Sequence, residues 1–376
     1  MKFLRGKGEN RLRVILLVLA LGGFVVSQTS AIKRQWETSS HNNQTTSLVN
    51  ATVEVRQASA AHCARCHSDQ GFRAWLPQLL KGDPGNIKGP DGKDADVAYL
   101  TSLGLTKDKA LPVTCSTCHD ENEDLRVMND TPLLPSGFAV SAVGEGALCM
   151  TCHNTRNGRV NWSAEDPGRY TGPHASSQGD VIVGKNVFFL NDTEDRISPH
   201  AAFTGGACAT CHMSLNQESH TFKPPKEVCT NCHGPNMNKE FVEQPTKYLL
   251  GQVKAAVQSK VLAAAEKVAV VRAYDAATSK YTDNFALDGR TIQSLVDIGT
   301  TGGQIALKVK LTDGREVTSP LAEFREAPGG KQVYATANPI VRASWNYLMI
   351  KSDGSYGAHN PRFSRDVLLT TISALR

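Results

Sequence analysis

No cysteine in this 376-residue chain falls outside five short clusters between residues 63 and 233, and residues 246–376 contain none at all. A disulfide scaffold is out of place in a chain of this length, and nothing about disulfides asks for such clustering. Beyond residue 26 no apolar run is long enough to cross a bilayer, so no integral span is expected once the N-terminus is processed. Basic residues form no stripe and no nucleic-acid-binding motif occurs, which removes nucleic acid as a partner. No repeat larger than the cysteine clusters themselves is visible.

Those clusters are five copies of one pentapeptide, C-x-x-C-H, and they use all ten cysteines. They are Cys63-Ala-Arg-Cys66-His67, Cys115-Ser-Thr-Cys118-His119, Cys149-Met-Thr-Cys152-His153, Cys208-Ala-Thr-Cys211-His212 and Cys229-Thr-Asn-Cys232-His233. Each is the attachment signature of a c-type haem. Two thiols one turn apart add to the porphyrin vinyl groups, and the following histidine falls beneath the iron as its proximal ligand. Paired C-x-x-C can hold a tetrahedral zinc, but zinc ribbons do not need a histidine after every second cysteine, and here all five have one. Five covalently bound haem c groups are therefore expected, with His67, His119, His153, His212 and His233 as proximal iron ligands.

The N-terminus supports this chemistry. Lys2, Arg5, Lys7, Arg11 and Arg13 precede an apolar run from Val14 to Val26, followed by small residues ending at Thr29-Ser30-Ala31. That order reads as a secretory signal peptide over 1–31, with a permanent anchor as runner-up. Bacterial c-type haems are attached outside the cytoplasmic membrane, so an exported protein is expected, in the periplasm or at the cell surface and beyond. Residues 1–31 carry those five basic side chains and one acid, Glu9, so their removal takes the formal charge from +5 to +1. With about two propionates per haem, the assembled protein should be acidic.

Residues 32–58 are polar and read as a flexible arm. Residues 59–245 hold all five motifs, whose starts lie 52, 34, 59 and 21 residues apart. At about 34 residues per haem, the porphyrins themselves must supply much of the core. In residues 246–376 the spacing of Leu250, Val253, Val257, Val261, Ala264, Val268 and Val271 predicts an amphipathic helix from Thr246 to about Ala276. Alternation through Ile305, Leu307, Val309 and Leu311 predicts a strand running into a turn at Thr312-Asp313-Gly314. Asn338-Pro339 opens a helix to about Ile350, and a last helix runs from Arg362 to the C-terminus. The expected fold class is mainly α and irregular, a haem-packed multihaem cytochrome region followed by a C-terminal α+β region that supplies a distal ligand.

Eleven histidines less five proximal ones leave His41, His62, His174, His200, His220 and His359 to close the second face of the irons. His200 and His220 stand eight and nine residues before Cys208 and Cys229, close enough for local chain reversal to carry them to a neighbouring haem. His174 sits in a Gly-Pro-His loop and His359 in Gly354-Ser-Tyr-Gly-Ala-His-Asn-Pro. These four are read as distal ligands. The fifth position is contested between His62, fixed beside Cys63, and His41 on the arm, which could reach another subunit. Methionine is the alternative ligand type, with Met150 and Met213 beside motif residues.

The C-x-x-C-H run, the Gly-Pro-His loop and the Asp-Gly-Ser-x-Gly-x-His-Asn-Pro segment resemble multihaem c-type cytochromes of anaerobic respiratory bacteria. That broad group includes ammonia-forming nitrite reductases, octahaem reductases and extracellular cytochromes that polymerise into conducting filaments. The likeness spans residues 59–240 and about 340–376, whereas 275–335 match nothing in it. The resemblance implies distal roles for His174 and His359. One departure is the lack of a C-x-x-C-K motif, whose lysine binds the catalytic iron in ammonia-forming nitrite reductases. An electron carrier with low-potential bis-histidine haems, meeting redox partner proteins, is the leading expectation, and no catalytic residue is named. A reductase of a small nitrogen oxyanion at one open haem, and a filament or homo-oligomer subunit, are the alternatives.

Overall fold

The computed structural model describes residues 31–157, 169–191, 196–213, 219–225, 227–275, 280–282 and 285–376. The signal segment expected over 1–31 lies outside the described residues except for its last position. Short helices and irregular connections dominate, and the C-terminal region adds a small sheet, so the chain is mainly α and irregular with an α+β part. Packing divides the chain into two units, one of residues 1–74, 87–117 and 209–228 and the other of 75–86, 118–208 and 229–376.

In the first unit, residues 31–37 are helical, followed by helices Gln44–Ala51 and Val53–Arg56. The flexible arm expected over 32–58 is therefore helical over much of its length. Its polar side chains are the reason. Asn43 caps the Gln44–Ala51 helix by accepting from Thr46 N at 2.9 Å, the Trp36 indole donates to Val113 O at 2.9 Å, and Gln44 Nε2 donates to Ala110 O at 2.7 Å. A composition that reads as solvated spends its polarity on caps and on the facing backbone. Buried Asp69 takes hydrogen bonds from Thr114, Ser116 and Thr117 hydroxyls, each 2.9 Å from Oδ1, and so anchors the segment that enters the second motif to the helix after the first.

The second unit holds the main apolar core. Helix α1 (Glu240–Ala263) buries Leu250, Val253, Val257 and Val261 along one face. It begins six residues before the expected start and stops near Ala263, where a single 3-10 turn leads to extended backbone at Val270–Val271. Val268 and Val271 are buried as expected, but on extended chain, the conformation that β-branched residues favour. Strands β1 (Ile292–Thr301), β2 (Gln304–Leu311) and β3 (Glu316–Pro320) form an antiparallel meander in that order. Register places Val309 between Leu295 and Val317. The β1–β2 turn is Gly302-Gly303 with φ of +54° and +77°, the left-handed backbone that a two-residue hairpin needs. Ile305, Leu307, Val309 and Leu311 are fully buried in the core that α1 also enters.

Helices α2 (Pro339–Ser352) and α3 (Pro361–Ala374) lie where the sequence predicts, each with an asparagine cap and proline in its first turn. Two buried asparagines then stitch loops to these helices. Asn346 Oδ1 accepts from Phe188 N, while its Nδ2 donates to Phe188 O and Thr371 Oγ1, all at 2.8 Å. Asn360 Oδ1 caps α3 by accepting from Phe363 N at 3.2 Å. Its Nδ2 faces the carbonyls of Arg196 at 2.8 Å, Val181 at 3.1 Å and Ile182 at 3.3 Å. Asn360 thereby fixes the position of His359 just before it. Removing that side chain leaves buried carbonyls and a helix start unpaired, so Asn360→Ala should cost about 2–4 kcal/mol, read as a lowered denaturation midpoint of the full chain.

Candidate haem-binding site

Every motif lies on a short helix. Cys63–His67 ends helix Ala60–His67, and Cys208–His212 is a helix by itself. Cys115–Cys118 and Gly146–Cys152 are each followed directly by the motif histidine, and Cys229 caps Thr230–His233. On a helix, positions i, i+3 and i+4 share a face, so both thiols and the histidine of each motif project to one side. None of the ten cysteines is buried and none is in a disulfide. Cys149 accepts a hydrogen bond from Cys208, which lowers its pKa and brings the first thiols of the third and fourth motifs together. The approach is close because Gly146 packs on Ala207, where a Cβ would come within 2.8 Å of the alanine side chain.

The histidines carry a second, independent regularity. An imidazole that bonds a metal through Nε2 keeps its proton on Nδ1, and that proton needs an acceptor. Three proximal candidates have one: His119 Nδ1 lies 2.7 Å from Glu123 O, His212 Nδ1 3.0 Å from Phe222 O, and His153 Nδ1 3.2 Å from Gln178 Oε1. So do three distal candidates. His174 Nδ1 is 2.7 Å from Ser176 Oγ, whose own proton goes to Asn154 O, and His200 Nδ1 is 3.0 Å from Ala358 O. His359 Nδ1 is 2.6 Å from Asp353 Oδ1. Burial works to lower the His359 pKa, but the charge and hydrogen bond of Asp353 outweigh it, and the net shift is upward. In all six rings the proton thus sits on Nδ1 and the lone pair on Nε2.

His62 has the opposite arrangement. Buried Arg65 lies 3.2 Å from its Nδ1, and a guanidinium can only donate, so Nδ1 accepts and Nε2 carries the proton. His41 packs edge-on against Phe222 at 4.4 Å between ring centres, and His220 meets the same ring at 5.8 Å. Phe222 is also the residue whose carbonyl holds His212, so His41, His212 and His220 all gather around it. His220 is further placed by its backbone N–H, 3.0 Å from Gln35 Oε1. His67 ends its helix.

One proximal and one distal candidate bring their rings together, nearly perpendicular to each other. His200 and His233 have ring centres 6.0 Å apart at an interplanar angle of 82°. Two imidazoles bonded through one nitrogen each to a first-row metal, at about 2 Å per bond, hold their ring centres roughly 6 Å apart. The donor set therefore fits a haem iron. A cavity of about 390 Å³ lined by Phe241, Val242, Leu249, Arg362 and Arg365 adjoins α1 and the start of α3, combining apolar walls with cationic side chains. Among the described residues no cluster of three or more His, Cys, Asp or Glu forms a protein-only metal site.

The orienting groups escaped sequence reading in part because half of them are backbone carbonyls. Arg65 was legible as His62-x-x-Arg65, an i,i+3 pair on one helix, and Asp353 as the aspartate of the Asp-Gly-Ser turn.

The chain matches no protein-family model and no curated protein. Two solved structures are similar to it. The outer cell wall cytochrome OcwA is 16% identical with a TM-score of 0.49, the match covering 91% of this chain and 50% of that one. An undecahaem cytochrome from the S-layer of Carboxydothermus ferrireducens is 18% identical with a TM-score of 0.40, covering 85% of this chain and 38% of that one. The chain thus spans half or less of the length of either. No helix among the described residues is long and apolar enough to cross a membrane.

Behind the third motif, Asp180 is fully buried and accepts from Thr155 N at 2.7 Å and Thr155 Oγ1 at 2.8 Å. Burial pushes its pKa up from 3.8 to about 6 despite those bonds. The folded chain therefore holds a proton there that the unfolded chain has already released, and stability falls as pH rises through that window. This group should remove on the order of 3 kcal/mol between about pH 4 and pH 7. Guanidinium unfolding of the wild type and Asp180→Ala at both pH values checks it, and equal pH slopes would contradict the assignment.

Proposed function

We propose that this chain is an exported pentahaem c-type cytochrome that passes electrons between redox partner proteins through low-potential, bis-histidine haems in anaerobic respiration. The reading rests on the pair of His200 and His233, one distal and one proximal candidate with ring centres at the spacing of two ligands on one iron. When bound, each haem supplies a one-electron ferric–ferrous couple. The chain's own part is to hold each iron from both sides so that its ligands move little when charge changes. Five thiol pairs fix the porphyrins, and the acceptors on Nδ1 fix the imidazoles.

His41, His174, His200, His220 and His359 provide one distal ligand for each of five irons. His41 is preferred over His62 because the Arg65 contact commits His62 to the wrong tautomer. His41 also lies against Phe222 of its own chain, so this ligand needs no second copy. A reductase working at an open haem would need one iron left without such a partner. Imidazole on both faces lacks the methionine that raises haem potential, which supports the low-potential reading. Export rests on residues 1–31, and places the protein in the periplasm or at the cell surface.

Low-temperature EPR of the purified full chain should show five low-spin ferric haems. His41→Ala should turn one of the five high-spin, while His62→Ala leaves all five low-spin. A high-spin haem in the wild type would favour the reductase, and conversion by His62→Ala alone would overturn the choice of His41.

A further inference from the structure

Five of the six acceptors on histidine Nδ1 are neutral: three carbonyls of the backbone, an amide and a hydroxyl. The sixth is a carboxylate. Asp353 Oδ1 takes the His359 Nδ1 proton at 2.6 Å, with the aspartate side chain wholly buried. Its other oxygen is engaged by the Ser355 hydroxyl and by Ser355 N at 3.2 Å, and Ser355 Oγ in turn accepts from His359 N at 3.1 Å. Among the described residues no lysine or arginine pairs with this carboxylate. Its negative charge is answered only by one serine and by the imidazole.

We infer that Asp353 is a positioning residue that lowers the reduction potential of the iron bound by His359. The inference rests on the ligation proposed above and deepens it. A carboxylate drawing on Nδ1–H makes Nε2 a stronger donor, and a buried negative charge beside the iron favours its ferric state. The neutral acceptors on the other five oriented rings do neither to the same degree.

The surroundings confine the effect to one iron. The same loop reaches two further haem ligands, but only through neutral groups. Ala358 O holds His200, and Asp353 O accepts from Gln178 Nε2 at 3.1 Å, whose Oε1 faces His153. The loop is held in place by Gly357, where φ is +101° and a Cβ would lie 2.6 Å from Thr246 Oγ1. Asn360 fixes its other end. The carboxylate cannot swing away from His359 without also losing the Ser355 hydroxyl and Ser355 N.

A redox titration of the haem-loaded full chain, followed by absorbance and EPR, tests this. Asp353→Asn should shift one of the five components upward by about tenfold in its reduction equilibrium, which is 59 mV for a one-electron couple, and leave four unmoved. Ser355→Ala removes a hydroxyl that partly neutralises the carboxylate, so it should move the same component down. Unchanged potentials in Asp353→Asn with five low-spin haems, or movement of both variants in one direction, would overturn the inference. A wild-type spectrum unaltered by His359→Ala would instead overturn the ligation itself, and the tuning role with it.

Discussion

An imidazole has two nitrogens and, when neutral, one proton. Binding iron through Nε2 obliges the chain to find an acceptor for Nδ1–H, and that obligation explains features that otherwise look unrelated. The His119 ring is held by the carbonyl four residues ahead, and His212 by Phe222 O at the far side of its loop. His174 borrows a serine that is itself tied to the backbone after the third motif. His200 depends on Ala358, which is remote in sequence. Loops rich in glycine, aspartate and serine recur between the motifs because such loops can aim carbonyls and short side chains at rings.

The segment from Asp353 to Asn360 concentrates this logic. In eight residues it supplies the proposed ligand His359, the charged acceptor of that ring, the carbonyl that orients His200, a backbone acceptor for Gln178, and the cap of α3. The apolar core of α1, α2, α3 and the small sheet gives this segment a rigid mount. The C-terminal region, which has no cysteine of its own, acts on the site by holding the groups that aim the rings.

Much of this could be read from sequence where the signal was local. The proposed attachment and proximal positions rest on C-x-x-C-H alone, and Asn338-Pro339 and Asn360-Pro361 announce α2 and α3 by their caps. The strand at 304–311 follows from alternation, whereas β1 was missed, although Gly302-Gly303 is a hairpin signal, because its bulges near Ser294 and Asp297 break the alternation. The end of α1 was misplaced because Val268 and Val271 continue an apolar spacing that suits helix and strand alike. Residues 32–58 were misread since polar composition does not reveal that Asn43, Gln44 and Trp36 have backbone partners elsewhere. The tautomers of His62 and His359 depend on contacts that no one-dimensional pattern contains, except for the short spacings to Arg65 and Asp353.

In the proposed cytochrome these histidines reach iron through Nε2 while Nδ1–H stays with a protein acceptor. A high-resolution structure of the haem-loaded chain tests it most directly. The account predicts His200 and His233 on opposite faces of one iron, each bonded through Nε2, with Ala358 O still on His200 Nδ1 and Asp353 still on His359 Nδ1. An iron bonded to water opposite His233, or any of the six oriented rings turned to bind through Nδ1, would contradict it.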